Sequence, residues 1–432
     1  SNLAIEAAES IITGKDKFDA QFDAADDTHD DDEDSLDGLM SKNPIVYANE
    51  MLRQSGSLPY YSRSMSETLV AILLSSNSTI VKSNADSNKC PKCVTFLQRR
   101  ATSLSEVIDN LCCLSPNVSA ALSLDELFLV PSLLRVVAEL AFVAEDSDSS
   151  LLCESMTAAL KTLTSLTHEN PTACDQIVRS YRWKISLPTS SQVNTSGEIT
   201  GLDIVFSYLV KIVSLKQEPE SAHHKSKYDH TIFCLNILTN VVEMVPNQTK
   251  KLIESMIINE SSLCVEPIRK IPGLTWLVRW VVSKTTGFQN SVMKGSFGSQ
   301  DETNTAIDTN ELKAGEEENL VISGNGFVLL ACLMVDHEHV SSGSIRDSIL
   351  KELPIDSDGN SGGIQFMIKT LKAFCNFYHY SVGDLSVAVI APVVKLITGL
   401  EEINEAEQQA KWSQIYNSTL SLCNSPHISQ DG

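Results

Sequence analysis

The chain has 432 residues, of which 42% are hydrophobic and 20% charged, and a formal net charge of −22 at pH 7. That composition is globular, with length enough for two or three ordinary cores or one long repeat array. It argues against bare duplex nucleic acid as a partner, because binding phosphate needs basic patches.

Half of the charge lies in the first 40 residues, where 13 acids and 2 lysines leave −11. Residues 1–35 read as an acidic, flexible leader that suits basic partner surfaces. The chain opens Ser1-Asn2 rather than Met, as expected of a piece of a longer protein. Glu6 and Glu9 stand where a secretory signal would be basic. No apolar run reaches 18 residues, so no membrane-spanning helix is predicted. Eleven scattered cysteines, among them Cys153, Cys234, Cys332 and Cys375 inside apolar runs, read as small buried hydrophobes of a reducing compartment.

From Leu36 onward apolar residues recur at helical spacing. Helices are predicted near 45–56, 61–75, 94–113 and 131–144, then from about Ser149 through Leu166, where Met156, Ala159, Leu160, Leu163 and Leu166 form one stripe. Further helices are predicted near 172–182, 201–215, 232–245, 247–258 and 272–285. The last group falls near 319–335, 343–352, 363–378, 390–401 and 404–421. The stretch Ile232 to Val245 is apolar on almost every side and calls for cover around most of its circumference. Pro131, Pro272 and Pro392 lie at or near helix starts, where a missing N–H costs little. Polar stretches at 76–92, 186–200 and 286–315 read as inserted loops.

The most telling feature is a pair of near-copies 75 positions apart. Leu163-Thr164-Ser165-Leu166 with Pro171 recurs as Leu238-Thr239-Asn240-Val241 with Pro246. Each copy closes a long apolar segment and precedes a shorter one opened by proline, the pattern of a helical-hairpin repeat. The predicted class is all-α, a HEAT/armadillo-like α-solenoid of irregular repeats occupying 36–424. Such surfaces usually bind other proteins.

Chemical motifs are weak. Cys90 and Cys93 have metal-ligand spacing, but their nearest second pair is the adjacent Cys112 and Cys113, a poor tetrahedral set. His337 with His339, and His223 with His224, fall at predicted corners and lack the spacing that puts two ligands on one helical face. No nucleophile elbow, P-loop or dinucleotide fingerprint occurs. Gly324-Asn325-Gly326 lies inside an apolar helix, where small residues permit close packing. Trp276 and Trp280 share a helical face, with Arg279 and Lys284 beside them, as a packed face with a basic rim. None of the four tryptophans is followed four residues later by Asn, as the groove of an armadillo-type nuclear-signal receptor requires. The expectation is a non-enzyme without cofactor or metal.

Five segments resemble, in order, the conserved C-terminal domain of the Wapl (wings-apart-like) family of cohesin-release factors. They begin with the acidic opening Asp30-Asp31-Asp32-Glu33 before Leu36-Asp37-Gly38-Leu39. Ala159-Leu160 through Leu163, Leu166-Thr167-His168-Glu169-Asn170 is similar to the family's Ala-Leu-x-x-Leu-x-x-Leu-Thr-His-x-Asn element, and Leu235 through Leu238, Asn240, Val241, Val242 and Glu243 to its Leu-x-x-Leu-x-Asn-Leu-Val-Glu element. The last two are Val321-Ile322-Ser323 through Leu329-Leu330-Ala331-Cys332-Leu333, and then Ser344-Ile345-Arg346 through Lys369, Leu371-Lys372-Ala373-Phe374. The resemblance spans about residues 30 to 405, with Ala331 where the family carries Gly and a weak match over 40–150.

The resemblance implies a nuclear, chromatin-associated protein that promotes release of cohesin. It would bind the ATPase-head and kleisin subunits, together with HEAT-repeat cohesin-associated proteins, and favour ring opening, with no catalysis, membrane, nucleic acid or small-molecule substrate of its own. The family's Phe-Gly-Phe docking motifs do not occur here. The expected contact residues are Val321 and Asn325 on one helix, a basic patch of Arg346, Lys369 and Lys372, and the acids Asp30, Asp31 and Glu33. Val321 is equally readable as core, and the lysines as ordinary solvated positions. The alternative function is a generic armadillo/HEAT adaptor unconnected with cohesin.

Overall fold

A computed structural model describes residues 103, 107–112, 116–142, 154–183, 187, 189–191, 198–215, 222–260, 269–285, 315–335, 343–354, 363–382 and 387–423. These residues are mostly helical. The expected helices at 45–56 and 61–75, the leader, and nearly all of the stretches 76–92 and 286–315 lie outside them. The chain divides into two compact units, Ser1–Gly273 and Leu274–Gly432.

In the first unit the elements run α1 (Pro116–Leu122), a 3-10 turn (Asp125–Leu127), α2 (Leu129–Phe142), α3 (Glu154–Thr167), α4 (Pro171–Val178), β1 (Ser180–Tyr181), β2 (Thr189–Ser191), β3 (Ile199–Thr200), α5 (Gly201–Ser214), α6 (Ala222–Met244), α7 (Pro246–Ser255), β4 (Met256–Glu260) and β5 (Arg269–Pro272). Pro171 and Pro246 do open α4 and α7, where proline's fixed φ is already helical. Asn170 caps α4 by accepting from the Ala173 N–H at 3.3 Å. Thr200 and Asp203 form a reciprocal capping box on α5, an arrangement that stabilises a helix start by about 1 kcal/mol.

Packing follows the sequence repeat. Helix α2 lies against α5, and α3 against α6, so elements 72 to 75 positions apart are neighbours in space. Gly201 and Gly273 mark the period. A Cβ on Gly201 would come within 2.6 Å of Leu134 of α2, and one on Gly273 within 3.4 Å of Phe206 of α5 and 2.9 Å of Met256. Leu134 and Phe206 are themselves 72 apart. Lysines tie the layers together at helix ends. Lys211 Nζ donates to the Ala141 carbonyl at 2.6 Å, near the end of α2, and Lys227 Nζ to the Leu215 carbonyl at 2.6 Å, just past α5. A cation at a C-terminus contributes about 0.3–1 kcal/mol. On α6 no residue from His230 to Val242 is exposed, which is the cover its apolar circumference demanded.

Three differences from expectation concern strands. The 186–200 stretch carries β2 and β3, the helix expected over 172–182 stops at Val178 with β1 following it, and the helix expected to reach 258 stops at Ser255. Met256-Ile257-Ile258 continues in extended form because strands on both sides take its backbone hydrogen bonds, and its two isoleucines tolerate the pleated surface. It pairs antiparallel with β2 on one side, Thr189 opposite Ile258, and with β5 on the other, Ile258 opposite Ile271. Strand β1 pairs with β3, Ser180 opposite Thr200.

The second unit holds α8 (Gly273–Thr285, from Leu274 on), α9 (Glu316–Met334), α10 (Gly343–Glu352), α11 (Gly363–Val382) and α12 (Val387–Cys423). Helix α9 packs on α10, α11 and α12, and from Leu320 to Met334 only Asn325 and Val328 are not fully buried. Its two central glycines do permit close approach. A Cβ on Gly324 would come within 2.1 Å of the Phe374 ring of α11, and one on Gly326 within 2.5 Å of Val281 of α8. Phe327 and Phe366 meet edge to face, centroids 5.8 Å apart. The two helices expected at 390–401 and 404–421 are one, Val387–Cys423, with Pro392 inside. Glu401-Glu402 through Gln408-Gln409-Ala410 are good helix formers with no breaker between the two halves.

Candidate partner-binding surface

The expected contact residues that fall among the described ones lie on three helices, α9, α10 and α11. Val321 is 8% exposed and belongs to the core rather than to a contact surface, because α9 is covered on nearly all sides. Asn325 is half-buried, and its amide donates to the Val321 carbonyl at 2.8 Å. Arg346 of α10 is half-buried, with its Nε enclosed and unpartnered among the described residues. Lys369 and Lys372 stand three apart on α11, both half-buried. Lys372 Nζ is paired with Glu401 Oε1 of α12 at 2.8 Å, so the basic patch is partly neutralised from within. Asp30, Asp31 and Glu33 lie outside the described residues, as do Cys90, Cys93, His337 and His339. His223 and His224 fall in the first turn of α6 rather than in a corner.

Trp276 and Trp280 stack, as their spacing requires, with centroids 5.7 Å apart and planes 3° from parallel. Both are half-buried. The rim cation Arg279 pairs with Glu352 Oε2 at 2.7 Å. Burial lowers the Lys284 pKa from its ordinary value, opposed by Glu318.

Polar groups inside the first unit join helices to one another. Asn170 donates one amide to Ser119 Oγ at 2.8 Å and to Ser123 Oγ at 2.9 Å, tying α4 to α1. His230 of α6 is fully buried between Tyr208 of α5, 2.8 Å from Nδ1, and Thr157 of α3, 2.6 Å from Nε2. Desolvation pushes its pKa down from 6.5 to about 3, so the ring is neutral, with one nitrogen to donate and one to accept. Burial, with Glu243 adding to it, pushes the Cys174 thiol up to about 12, far from a reactive thiolate. Cys112, Cys234, Cys332 and Cys375 are also buried, as small hydrophobes are. Among the described residues no group of three or more His, Cys, Asp or Glu stands together to hold a metal ion, and no helix is long and apolar enough to cross a membrane.

The corner between α1 and α2 exposes two large apolar side chains, Leu124 at 47% and Phe128 at 66%. Phe128 has φ 51 and ψ 22, in the left-handed region. Gln176 of α4 braces the corner, donating from Nε2 to the Ser123 carbonyl at 2.7 Å and to Asp125 Oδ1 at 2.8 Å. Arg179 Nη1 also donates to Asp125 Oδ1 at 2.8 Å, and its Nη2 to Asp175 Oδ2 at 2.7 Å. Tyr181 OH donates to the Gln176 carbonyl at 2.6 Å, and the Tyr181 ring stacks on Trp183 at 4.7 Å.

Scanned against models of known protein families the chain matches none, and a comparison with curated proteins finds no match.

Proposed function

We propose that this chain is a HEAT-type α-solenoid of irregular repeats that binds cohesin and promotes its release from chromatin. The observation that carries the fold half is the packing of α3 on α6 and of α2 on α5, the elements that the sequence repeat equates. Stacking of equivalent helices is how repeat proteins build a continuous core and leave their flanks free. Support for the partner half is the order of the five Wapl-like segments along the chain. Two of those segments supply inter-helix bonds through Asn170 and Asn240, so their likeness reflects the scaffold as well as the contacts.

The mechanism is differential binding. The chain holds an open arrangement of the ring, at the gate between ATPase head and kleisin, more tightly than the closed one. It shifts the equilibrium only by that preference. The partners are the ATPase-head and kleisin subunits and the HEAT-repeat proteins associated with them, met on chromatin in the nucleus. The acids Asp30, Asp31 and Glu33 face a basic partner surface in this reading, and Arg346 and Lys369 contribute local positive charge.

Pull-down of the purified ATPase-head–kleisin complex at low salt tests it. Stoichiometric capture is expected. Capture of neither subunit would leave the generic armadillo/HEAT adaptor as the reading.

A further inference from the structure

We propose that the loop from Leu124 to Phe128 is a rigid knob that enters an apolar pocket, rimmed by lysine or arginine, on the protein partner. This rests on the cohesin reading above and deepens it by naming a contact.

The argument starts from the conformation of Phe128. A bulky L-residue at φ 51 carries a steric cost that glycine does not. Phe128 also leaves two thirds of its surface in water, at 66% exposure, and so forgoes most of the stabilisation that full burial of an aromatic would bring. The cap bond of the Phe128 N–H to the Asp125 carbonyl offsets part of the first cost, and nothing about that bond requires an aromatic side chain. Of the four large hydrophobics exposed among the described residues, two, Leu124 and Phe128, fall in this one corner. The others are Tyr380 and Val394 on helices, where a single exposed apolar side chain is ordinary.

The corner is held still. The Leu127 N–H donates to the Leu124 carbonyl at 3.0 Å and the Phe128 N–H to the Asp125 carbonyl at 3.3 Å. Gln176, only 2% exposed, fastens Ser123 and Asp125 from below. A preordered aromatic and its apolar neighbour lose little freedom on docking, which is the character of an interface anchor. The charge around the knob sets the partner's chemistry. Asp125, Glu126 and Asp175 supply three carboxylates against the one guanidinium of Arg179, and Asp125 keeps 60% of its side chain in water. A basic rim complements this.

The test uses the full chain and the purified ATPase-head–kleisin complex, with melting temperature and affinity read on the same samples. Phe128→Gly accepts the left-handed conformation, so its melting temperature is expected at or above that of wild type while its affinity falls tenfold or more. Leu124→Ser is expected to weaken binding several-fold with little change in melting temperature. Glu126→Lys is expected to slow association at low salt. Wild-type affinity in Phe128→Gly and Leu124→Ser overturns the knob and leaves the cohesin reading standing. A melting temperature of Phe128→Gly several degrees below wild type also overturns it, by making the aromatic structural. Sedimentation showing a wild-type dimer that Phe128→Gly abolishes would assign the knob to a second copy, against the proposal. Failure of wild type to bind the complex removes both readings.

Discussion

Asn240 Nδ2 donates to Thr167 Oγ1 at 3.0 Å. The two residues belong to the two near-copies of the sequence repeat, so the copies are hydrogen-bonded to each other. Thr167 in turn donates to the Leu163 carbonyl at 2.9 Å, and the Cys174 thiol donates to the Thr167 carbonyl at 3.2 Å and the Asn240 carbonyl at 3.6 Å. A short polar seam thus runs between α3, α4 and α6, inside an otherwise apolar stack. Polar groups in such a place fix register, because a slip would leave each of them unpaired.

Asn240→Ala is expected to lower stability by about 0.5–1.5 kcal/mol, the net contribution of one part-buried hydrogen bond whose partner Thr167 keeps its bond to the Leu163 carbonyl. Asn170→Ala should cost more, about 1–3 kcal/mol, because it removes a helix cap and two buried bonds from its amide, while the Ser119 and Ser123 hydroxyls keep their own bonds to the Leu166 and Ser119 carbonyls. Urea unfolding checks both through the midpoint. A smaller effect at Asn170 than at Asn240 would contradict the assigned network.

The buried His230 makes stability depend on acid. Its folded pKa lies near 3, whereas an unfolded histidine titrates near 6.5. Between these values the unfolded chain binds a proton that the folded chain refuses, so stability falls as pH drops from about 6.5 toward 3. The slope from this group alone is at most about 1.4 kcal/mol per pH unit. His230→Gln should lose stability at pH 7, through poorer bonding to Tyr208 and Thr157, and should lose that share of the slope. Parallel wild-type and variant curves of unfolding free energy between pH 4 and 6 would refute a neutral buried ring.

Much of this scaffold was legible from local pattern, and the failures have physical causes. The helix at 343–352 and the proline-opened corners at 171 and 246 followed from apolar spacing, helix-start chemistry and proline's missing N–H. Strand β4 was missed because Met256-Ile257-Ile258 also extends the helical stripe of α7. Only its distant partners, 189–191 and 269–272, decide for extended backbone. The bond from Asn240 to Thr167 spans 73 positions, and no window of local sequence contains both ends. Val321 read equally as contact or core because its surroundings come from other helices. The exposure of Phe128 was invisible for the converse reason. An aromatic just ahead of an apolar helix looks like core, and nothing local announces a left-handed backbone that turns it outward.

Gly324→Ala should be among the most damaging single changes in the second unit. Its methyl would overlap the Phe374 ring, and overpacking a buried helix contact costs about 1–3 kcal/mol, with more where a ring cannot move. Phe374→Leu loses contact area but opens that space. A double-mutant cycle on thermal unfolding is therefore expected to show Gly324→Ala costing clearly less in the Phe374→Leu background than in wild type. Strict additivity would mean the two residues do not meet.

Lys372 offers a way to separate partner contact from local electrostatics. Its pair with Glu401 is exposed on both sides, 44% and 42%, so Lys372→Ala should change stability by less than about 1 kcal/mol and leave a folded protein for binding assays. Lys372→Glu sets two carboxylates against each other across α11 and α12, and Glu401→Lys in the same chain restores the pair with reversed polarity. If Lys372 touches an acidic site on cohesin, binding lost in Lys372→Glu stays lost in the double variant. If the loss comes from repulsion within the chain, the double variant recovers it. Affinity for the ATPase-head–kleisin complex at two salt concentrations distinguishes these, since a lost intermolecular contact of this kind also flattens the salt dependence.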